Sequence, residues 1–382
     1  MRIVAVREQT VSLAAAERNA NVSFDAMTAS AVAVVTDVTR NGRPLIGWAF
    51  DTIGRYGHGG LLRERFIPRL LAADPEGYSE GRTIDPYRVW DVVMANEKFG
   101  GHGERPGAVG LIDAAIWDLA AKVADAPLWS HLGGSSGRAC VPVYASGGHY
   151  RPADDIAALG AEVRRAKDAG NTRFKIKVGG ISLADDLARI ESVLAVLEPG
   201  MTLALDANGA CDLAAATALL AALAPYPIAW LEEPSPPLDY ALQNEIATTS
   251  RLPIATGENL FSFDDARNLR RYGGLRHQRD IVQVDILASY GIPEYQRILA
   301  DYAAHGWARE RFAPHAGHLF AMHAVAGLGL GMAEIATGTA SLFGQITAGV
   351  SLDAGMARLP EAPGVGFEAA PIFERLFGAL LN

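Results

Sequence analysis

The sequence predicts an α/β fold of the (β/α)8-barrel type preceded by an α+β domain. Three observations carry that prediction. The chain has 382 residues, more than the ~100–200 that usually share one hydrophobic core. From about Gly134 onward, short apolar runs alternate with amphipathic segments through eight β units, and parallel strands need such helical crossovers. An ionisable residue also recurs at the C-terminal end of consecutive runs, 26 to 30 residues apart, close to the ~30 residues of one βα unit. An open doubly wound sheet would share the alternation, but it has no need of acids at recurring strand ends.

Composition narrows the function. Apolar residues make up 49% of the chain and charged residues 20%, a globular balance rather than a disordered one. No charge-free apolar run approaches the ~20 residues that span a bilayer, and MRIVAVREQTVSL lacks the layout of a secretion signal. The expectation is a cytoplasmic protein with no membrane partner. A net charge of -9 argues against nucleic acid, whose phosphates need a basic surface. It leaves room for a small anion in a locally positive pocket. Cys140 and Cys211 have neither CxxC nor metal-finger spacing and read as small buried hydrophobes.

In residues 1–134, AVAVVTDVT (31–39), Asn41-Gly42 and PLIGWAF (44–50) predict a hairpin, because Asn-Gly supplies the positive φ of a type I′ turn. GAVGLIDAAIWDLAAKVA (107–124) predicts a helix with Ile112, Ala115, Ile116, Leu119 and Val123 on one stripe. Residues 135–351 hold the barrel. Its strands are expected at VPVYAS (141–146), RFKIKV (173–178), TLALDAN (202–208), IAWLEEP (228–234), PIATGEN (253–259), DIVQVDI (280–286), RERFAPH (309–315) and LGMAEI (330–335). DDIAALGAEVRRAKDAG (154–170) is a helix between the first two, with Gly170 as its C-cap. Residues 352–382, rich in Pro and Gly at their start, are expected to leave the barrel and pack back on the first domain.

Lys177, Asp206, Glu232, Glu258, Asp285 and His315 each fall at a strand end, so all six converge on one mouth of the barrel. Taken singly, such an acid is usually a helix N-cap or a solvated loop residue. Six in phase would need six separate structural reasons, and the recurrence favours a site. Asp206, Glu232 and Glu258 come from consecutive strands, and three anions that close repel unless a cation sits among them. An all-oxygen set without Cys or His favours Mg2+.

Lys175 and Lys177 alternate with Phe174, Ile176 and Val178, so both lysines face the barrel interior. A surface edge strand with outward lysines is the bland alternative, and the apolar opposite face argues against it. Two close ammonium groups lower each other's pKa. Lys177 is therefore read as a general base, with Lys175 tuning it and binding a substrate carboxylate. Asp285 can fix the tautomer of His315 across adjacent strands, giving an acid/base pair on the far side. His318 can touch ligand, while His323 reads as core. Bases on two faces of a metal-bound carboxylate remove an α proton to an enediolate. The second group then returns a proton, giving epimerisation, or protonates a β-hydroxyl, giving dehydration. A barrel that has lost activity and serves as a binding protein is the remaining class.

The KxK of FKIKVGG, the DAN of LALDANG, the EEP of WLEEP, the GEN of ATGEN, Asp285 in VQVDI and the Pro-His of APHAGH together resemble the enolase superfamily, in particular its mandelate racemase subgroup. Within it, NEKFGGHGERPGAVGLIDAAIWDLAAK, TGENLFSFDDARNLRRYGG and HAVAGLGLG are similar to the D-tartrate dehydratases. The resemblance covers nearly the whole chain. It implies a capping domain completed by the C-terminal tail, Mg2+ on Asp206, Glu232 and Glu258, and Lys177 taking the α proton. His315 with Asp285 would assist departure of a β-hydroxyl. That chemistry belongs to the family's known lysine, histidine and Mg2+ sites. Asn208, Glu334, Lys98, Asn21, Arg55, Tyr56 and His318 would line the substrate, and a dimer or octamer would be the assembly. Two departures fall near the substrate: GMAEIATGTASLF after strand eight keeps Glu334 but is less polar than in the tartrate group, and Ala316 stands where Gly is expected.

Overall fold

The computed structural model describes residues 1–12, 18–21, 28–51, 57–97, 99, 103–151, 155–337 and 350–381. In the first domain, β1 (Ile3–Ser12), β2 (Thr28–Arg40) and β3 (Arg43–Phe50) form an antiparallel sheet in chain order. Asn41 and Gly42 turn the hairpin at φ 52° and 74°, the positive values that Asn-Gly predicted. A two-stranded ribbon, β4 (Ser79–Glu80) and β5 (Thr83–Ile84), follows.

The helix Glu104–Val123 joins this domain to the barrel. On one side it lies so close to β3 that a Cβ on Gly47 would fall 2.0 Å from the Ala115 carbonyl oxygen. Elsewhere along it, a Cβ on Gly110 would fall 1.9 Å from the carbonyl oxygen of Leu287, just past the sixth barrel strand. Residues 106 to 122 are consequently buried on every face, not on the single stripe that the periodicity suggested. Small residues at the contacts let both neighbours approach.

In the barrel, β6 (Cys140–Gly147), β7 (Arg173–Lys177), β8 (Thr202–Asp206), β9 (Ile228–Glu232), β10 (Ile254–Thr256) and β11 (Ile281–Val282) pair in parallel in chain order. The closing strand β12 (Ala333–Ala336) pairs in parallel with β6. The expected seventh strand, RERFAPH, is a correction: Arg309–Arg311 is a turn of 3-10 helix, and Phe312 makes one isolated parallel bridge to Val282. Backbone bonds still hold the position, from Ala313 N–H to Val282 O (3.0 Å), His315 N–H to Gln283 O (3.2 Å) and Gly331 N–H to Phe312 O (2.9 Å). Pro314 has no N–H to extend a ladder. Register then sets the site, because Lys177 pairs with Asp206 and Asp206 with Glu232 across neighbouring strands.

The tail first adds a hairpin, β13 (Ser351–Asp353) and β14 (Met356–Arg358), to the start of β6. It then crosses to the first domain. Val365 N–H and Trp48 N–H donate to the two oxygens of Asp118 at 2.7 and 2.9 Å, and the rings of Phe373 and Phe377 pack on Trp48 at 5.2 and 5.1 Å. No helix among the described residues is long and apolar enough to cross a membrane.

The Gly47 contact is testable. Gly47→Ala is expected to lower unfolding free energy by about 1–3 kcal/mol, the usual cost of overpacking, measured by urea denaturation against the parent chain.

Candidate active site and metal centre

Asp206 and Glu232 are the last residues of β8 and β9, and Glu258 lies two residues beyond β10. One carboxylate oxygen from each lies within 4.8 Å of the others, and the group can hold a metal ion. Gly257, at φ 131°, makes the turn that presents Glu258 while its bare Cα packs against the backbone of Val284. Asn208, at φ 46°, closes the turn after Asp206. Its N–H donates to Asp206 Oδ1 (2.9 Å) and its amide to Oδ2 (3.3 Å).

Both lysines point into this cluster and are buried. Lys177 Nζ donates to Asp206 Oδ2 at 2.5 Å. Lys175 Nζ lies 2.5 Å from Glu232 Oε1, 3.2 Å from Glu334 Oε1 and 3.6 Å from Asp206 Oδ2. The expected mutual lowering of lysine pKa is not the net result. Burial, the largest influence, disfavours each charge and Lys175 opposes Lys177, but Asp206 together with Glu258 and Glu232 holds Lys177 above its ordinary value. Lys175 is likewise raised, burial being outweighed by Glu232 and Glu334.

The carboxylates respond in opposite directions. Burial pushes Glu232 up to about 7 despite Lys175. Burial also works against ionisation of Glu334, but Lys175, His315 and the Ser146 hydroxyl bring it down to about 2. Counted as ionised, Asp206, Glu232, Glu258, Glu334 and Asp285 exceed Lys175, Lys177 and a protonated His315 by two charges. That excess matches one divalent cation.

His315 approaches from the other end. Its Nδ1 lies 3.2 Å from Asp285 Oδ2 and its Nε2 3.5 Å from Glu258 Oε2. Burial disfavours the imidazolium, but Glu258, the Asp285 hydrogen bond and Glu334 push its pKa up to about 10. Asp285 lies three residues beyond β11; its Oδ1 accepts the Ala288 N–H at 3.0 Å. Against the penalty of burial, its bond to His315 keeps it below the ordinary carboxylate value.

The outer candidates divide. Asn21 donates its side-chain amide to the Asn208 carbonyl at 2.5 Å, placing the N-terminal segment beside the turn after Asp206. His318 is fully buried and caps the helix Leu319–Leu328, its Nδ1 accepting the Ala321 N–H at 3.1 Å. Burial lowers its pKa to about 4. His323 is core, its Nδ1 accepting the Trp129 N–H at 3.1 Å. Arg55, Tyr56 and Lys98 lie outside the described residues.

Several supporting residues escaped the sequence reading. Gln283 Nε2 and Trp230 Nε1 both donate to Glu232 Oε2, at 2.7 and 3.2 Å, leaving Oε1 to Lys175. Asn259 donates to both oxygens of Glu233, at 3.0 and 3.1 Å. Tyr144, opposite Glu334 in the β6/β12 register, places its ring 5.3 Å from Lys175 Nζ. The signal for Gln283 was present: it stands two before Asp285, the i, i+2 spacing that marks one face of a strand.

A parallel barrel with acids at its strand ends and two basic side chains flanking them defines an α/β barrel of the enolase type. The family model MR_MLE_C, enolase C-terminal domain-like, matches residues 158–371, and the chain belongs to that family. Among curated proteins, it is 31% identical over 224 residues to the 3,6-anhydro-alpha-L-galactonate cycloisomerase of Streptomyces coelicolor, covering 57% of this chain and 59% of that protein. It is 27% identical to the arabinonate dehydratase of Saccharolobus solfataricus over 62% of this chain and 60% of that one. The chain thus aligns with about three fifths of the length of these two relatives. The L-talarate/galactarate dehydratase of Salmonella typhimurium is 28% identical, over 76% of this chain and 68% of that one. Among solved structures, a racemase from Streptomyces coelicolor with bound magnesium superposes with a TM-score of 0.78 at 24% identity, covering 99% of each chain. The L-talarate dehydratase of Polaromonas sp. JS666, complexed with Mg and L-glucarate, gives 0.78 at 24% identity over 98% and 97%. These two likenesses establish the fold.

The His315 shift has a consequence for the metal-free chain. Because its folded pKa is raised from 6.5 to about 10, the stability it contributes is full below pH 6.5 and is lost as pH rises through about 10. Melting temperatures of the metal-free chain and His315→Asn are expected to differ most near pH 6 and to converge toward pH 10, read by a calorimetric pH series.

Proposed function

We propose that this protein is a Mg2+-dependent lyase that dehydrates a small α,β-dihydroxy acid of the tartrate type to a 2-keto acid. The observation that carries the reading is the placement of Lys177 and His315 at the two ends of one carboxylate cluster, beside Asp206 and Glu258 respectively. The dehydratase activities of the curated relatives support the reaction class.

The site fits Mg2+ by its all-oxygen donors and its two surplus negative charges. Asp206, Glu232 and Glu258 would hold Mg2+, which would supply fixed positive charge that makes the α proton of a bound carboxylate more acidic. Lys177 takes that proton. When Asp206 is engaged elsewhere, the ion pair holding Lys177 charged is weakened and Lys175 opposes its protonation. Lys175, anchored between Glu232 and Glu334, presents its charge to the carboxylate.

His315 completes the reaction. Protonated at neutral pH and oriented by Asp285, it gives its proton to the β-hydroxyl, which leaves as water with the C–O bond electrons. The α C–H electrons form the enol double bond, and the enol ketonises to the 2-keto acid. The same two groups also favour a second reading, an epimerase or racemase in which the opposite group returns a proton to the α carbon without loss of water.

A panel of tartrate isomers, aldonic acids and aldaric acids with Mg2+ is expected to yield 2-keto acid from at least one member, with Lys177→Ala roughly 10²–10⁴-fold slower. Absence of keto acid from every member overturns dehydration. Solvent deuterium entering the α carbon of recovered or inverted acid, without water loss, selects the second reading.

Gln283→Leu, which frees Glu232 Oε2 from its shorter hydrogen bond, is expected to weaken Mg2+ affinity about tenfold or more, measured by titration calorimetry without substrate. Unchanged affinity would remove Gln283 from the support of the metal centre.

A further inference from the structure

Tyr150 stands where three chain segments meet: the N-terminal segment 18–21, the turn after β6 and the turn after β7. Its N–H donates to the Arg18 carbonyl at 3.0 Å, forming an isolated antiparallel bridge. Its hydroxyl accepts the Gly180 N–H at 2.9 Å and donates to Asp186 Oδ1 at 3.0 Å. Asp186 Oδ2 accepts the Gly179 N–H at 2.6 Å. The two amides thus held follow Lys177 by two and three residues.

Packing makes the junction tight. A Cβ on Gly180 would fall 2.5 Å from the Tyr150 ring and 3.1 Å from Ala20 Cα. Buried Arg189 brings its guanidinium to 4.5 Å from the ring centroid and donates to the Gly148 carbonyl at 2.5 Å. At the far end of segment 18–21, Asn21 donates to the Asn208 carbonyl. The same segment is therefore tied to the turn behind Lys177 and to the turn behind Asp206.

We infer that Tyr150 and Asp186 are positioning residues that fix the turn following Lys177, against which the N-terminal segment packs, and so align the base. Neither side chain is assigned contact with the reacting atoms. A lysine on a strand end inherits the direction of the backbone leaving it, and small displacements at a reacting centre are costly in rate. The catalytic half of this inference rests on the function proposed above; the structural half does not.

Tyr150→Phe keeps the ring, its contact with Arg189 and the backbone bond to Arg18, and removes only the hydroxyl; Asp186→Asn disturbs the same link from its other end. Amide hydrogen exchange on the substrate-free protein is expected to quicken about tenfold at Gly179 and Gly180 in either variant, and to stay unchanged in β8 to β10. On any acid that the parent turns over, kcat is expected to fall about tenfold with a smaller change in KM and unchanged Mg2+ affinity. Unaltered exchange at Gly180 overturns the clamp. Quickened exchange with parental kcat overturns positioning and leaves a purely structural bond. If no acid is turned over by the parent, the proposed function fails while the exchange result still decides the clamp.

Discussion

The constraint on which the rest depends is the crowding of buried charge at the C-terminal ends of the barrel strands. Carboxylate oxygens within 4.8 Å of one another repel by about 3–4 kcal/mol per ionised pair at an effective dielectric of ~20. Total folding stability is only about 5–15 kcal/mol, so such a cluster persists only with opposite charge in contact. Lys175 provides it at the centre, reaching Glu232, Glu334 and Asp206 at once, and Lys177 and His315 provide it at the ends. Strand register delivers this arrangement, since parallel pairing sets Lys177, Asp206 and Glu232 side by side. A slip of one residue would turn each of them away from the interior.

A site built on opposed charges needs a rigid frame, and the frame here is apolar and close-packed. The helix Glu104–Val123 has the sheet on one side and the barrel on another, with glycine backbones at both approaches. The tail closes the first domain through Trp48, Phe373 and Phe377. The buried Asp118–Lys122 pair in this region is well partnered: Asp118 accepts from Trp48, Val365 and Lys122, and Lys122 also reaches the Ile46 carbonyl and Glu368. A buried ion pair with its remaining lone pairs and protons satisfied is tolerated where a bare one is not. The same rule that protects the carboxylate cluster thus holds the tail to the first domain.

Much of this was legible in the sequence because period is legible. The Asn-Gly hairpin, the barrel alternation and the acids recurring at strand ends follow from spacings of two and of about one βα unit, and the carboxylate triad converged as those spacings required. The seventh strand was misread because apolar residues beside Phe312 look like strand while Pro314 forbids the ladder. The Glu104–Val123 helix was read as one-sided because periodicity reports what is apolar, and Gly and Ala on the other faces are apolar too weakly to register. The lysine pKa direction was missed for a different reason. Strand alternation places two ammonium groups together, but only tertiary geometry gives the 2.5 Å contact with Asp206 and the nearby Glu258 and Glu232 that together decide the sign. Gln283 and Tyr150 were missed because a neutral side chain announces no charge pattern.

The two ends of the site are fixed by different physics. Lys177 is a long, flexible side chain whose direction is set by charge, so its position responds to whatever else engages Asp206. His315 is short, and its direction follows from the backbone. The next residue, Ala316, sits at φ 87°, a conformation that disfavours a side chain with Cβ by about 1–2 kcal/mol. Such strain survives only where the surroundings over-determine it. Here His318 N–H donates to the Ala316 carbonyl at 2.8 Å, His318 itself caps the following helix, and Gly317 packs against the backbone of Ala336. The glycine expected at position 316 would relieve the strain and loosen the turn. Alanine keeps it tight, so the His315 imidazole is held in place by backbone while the Lys177 ammonium remains responsive to its electrostatic surroundings.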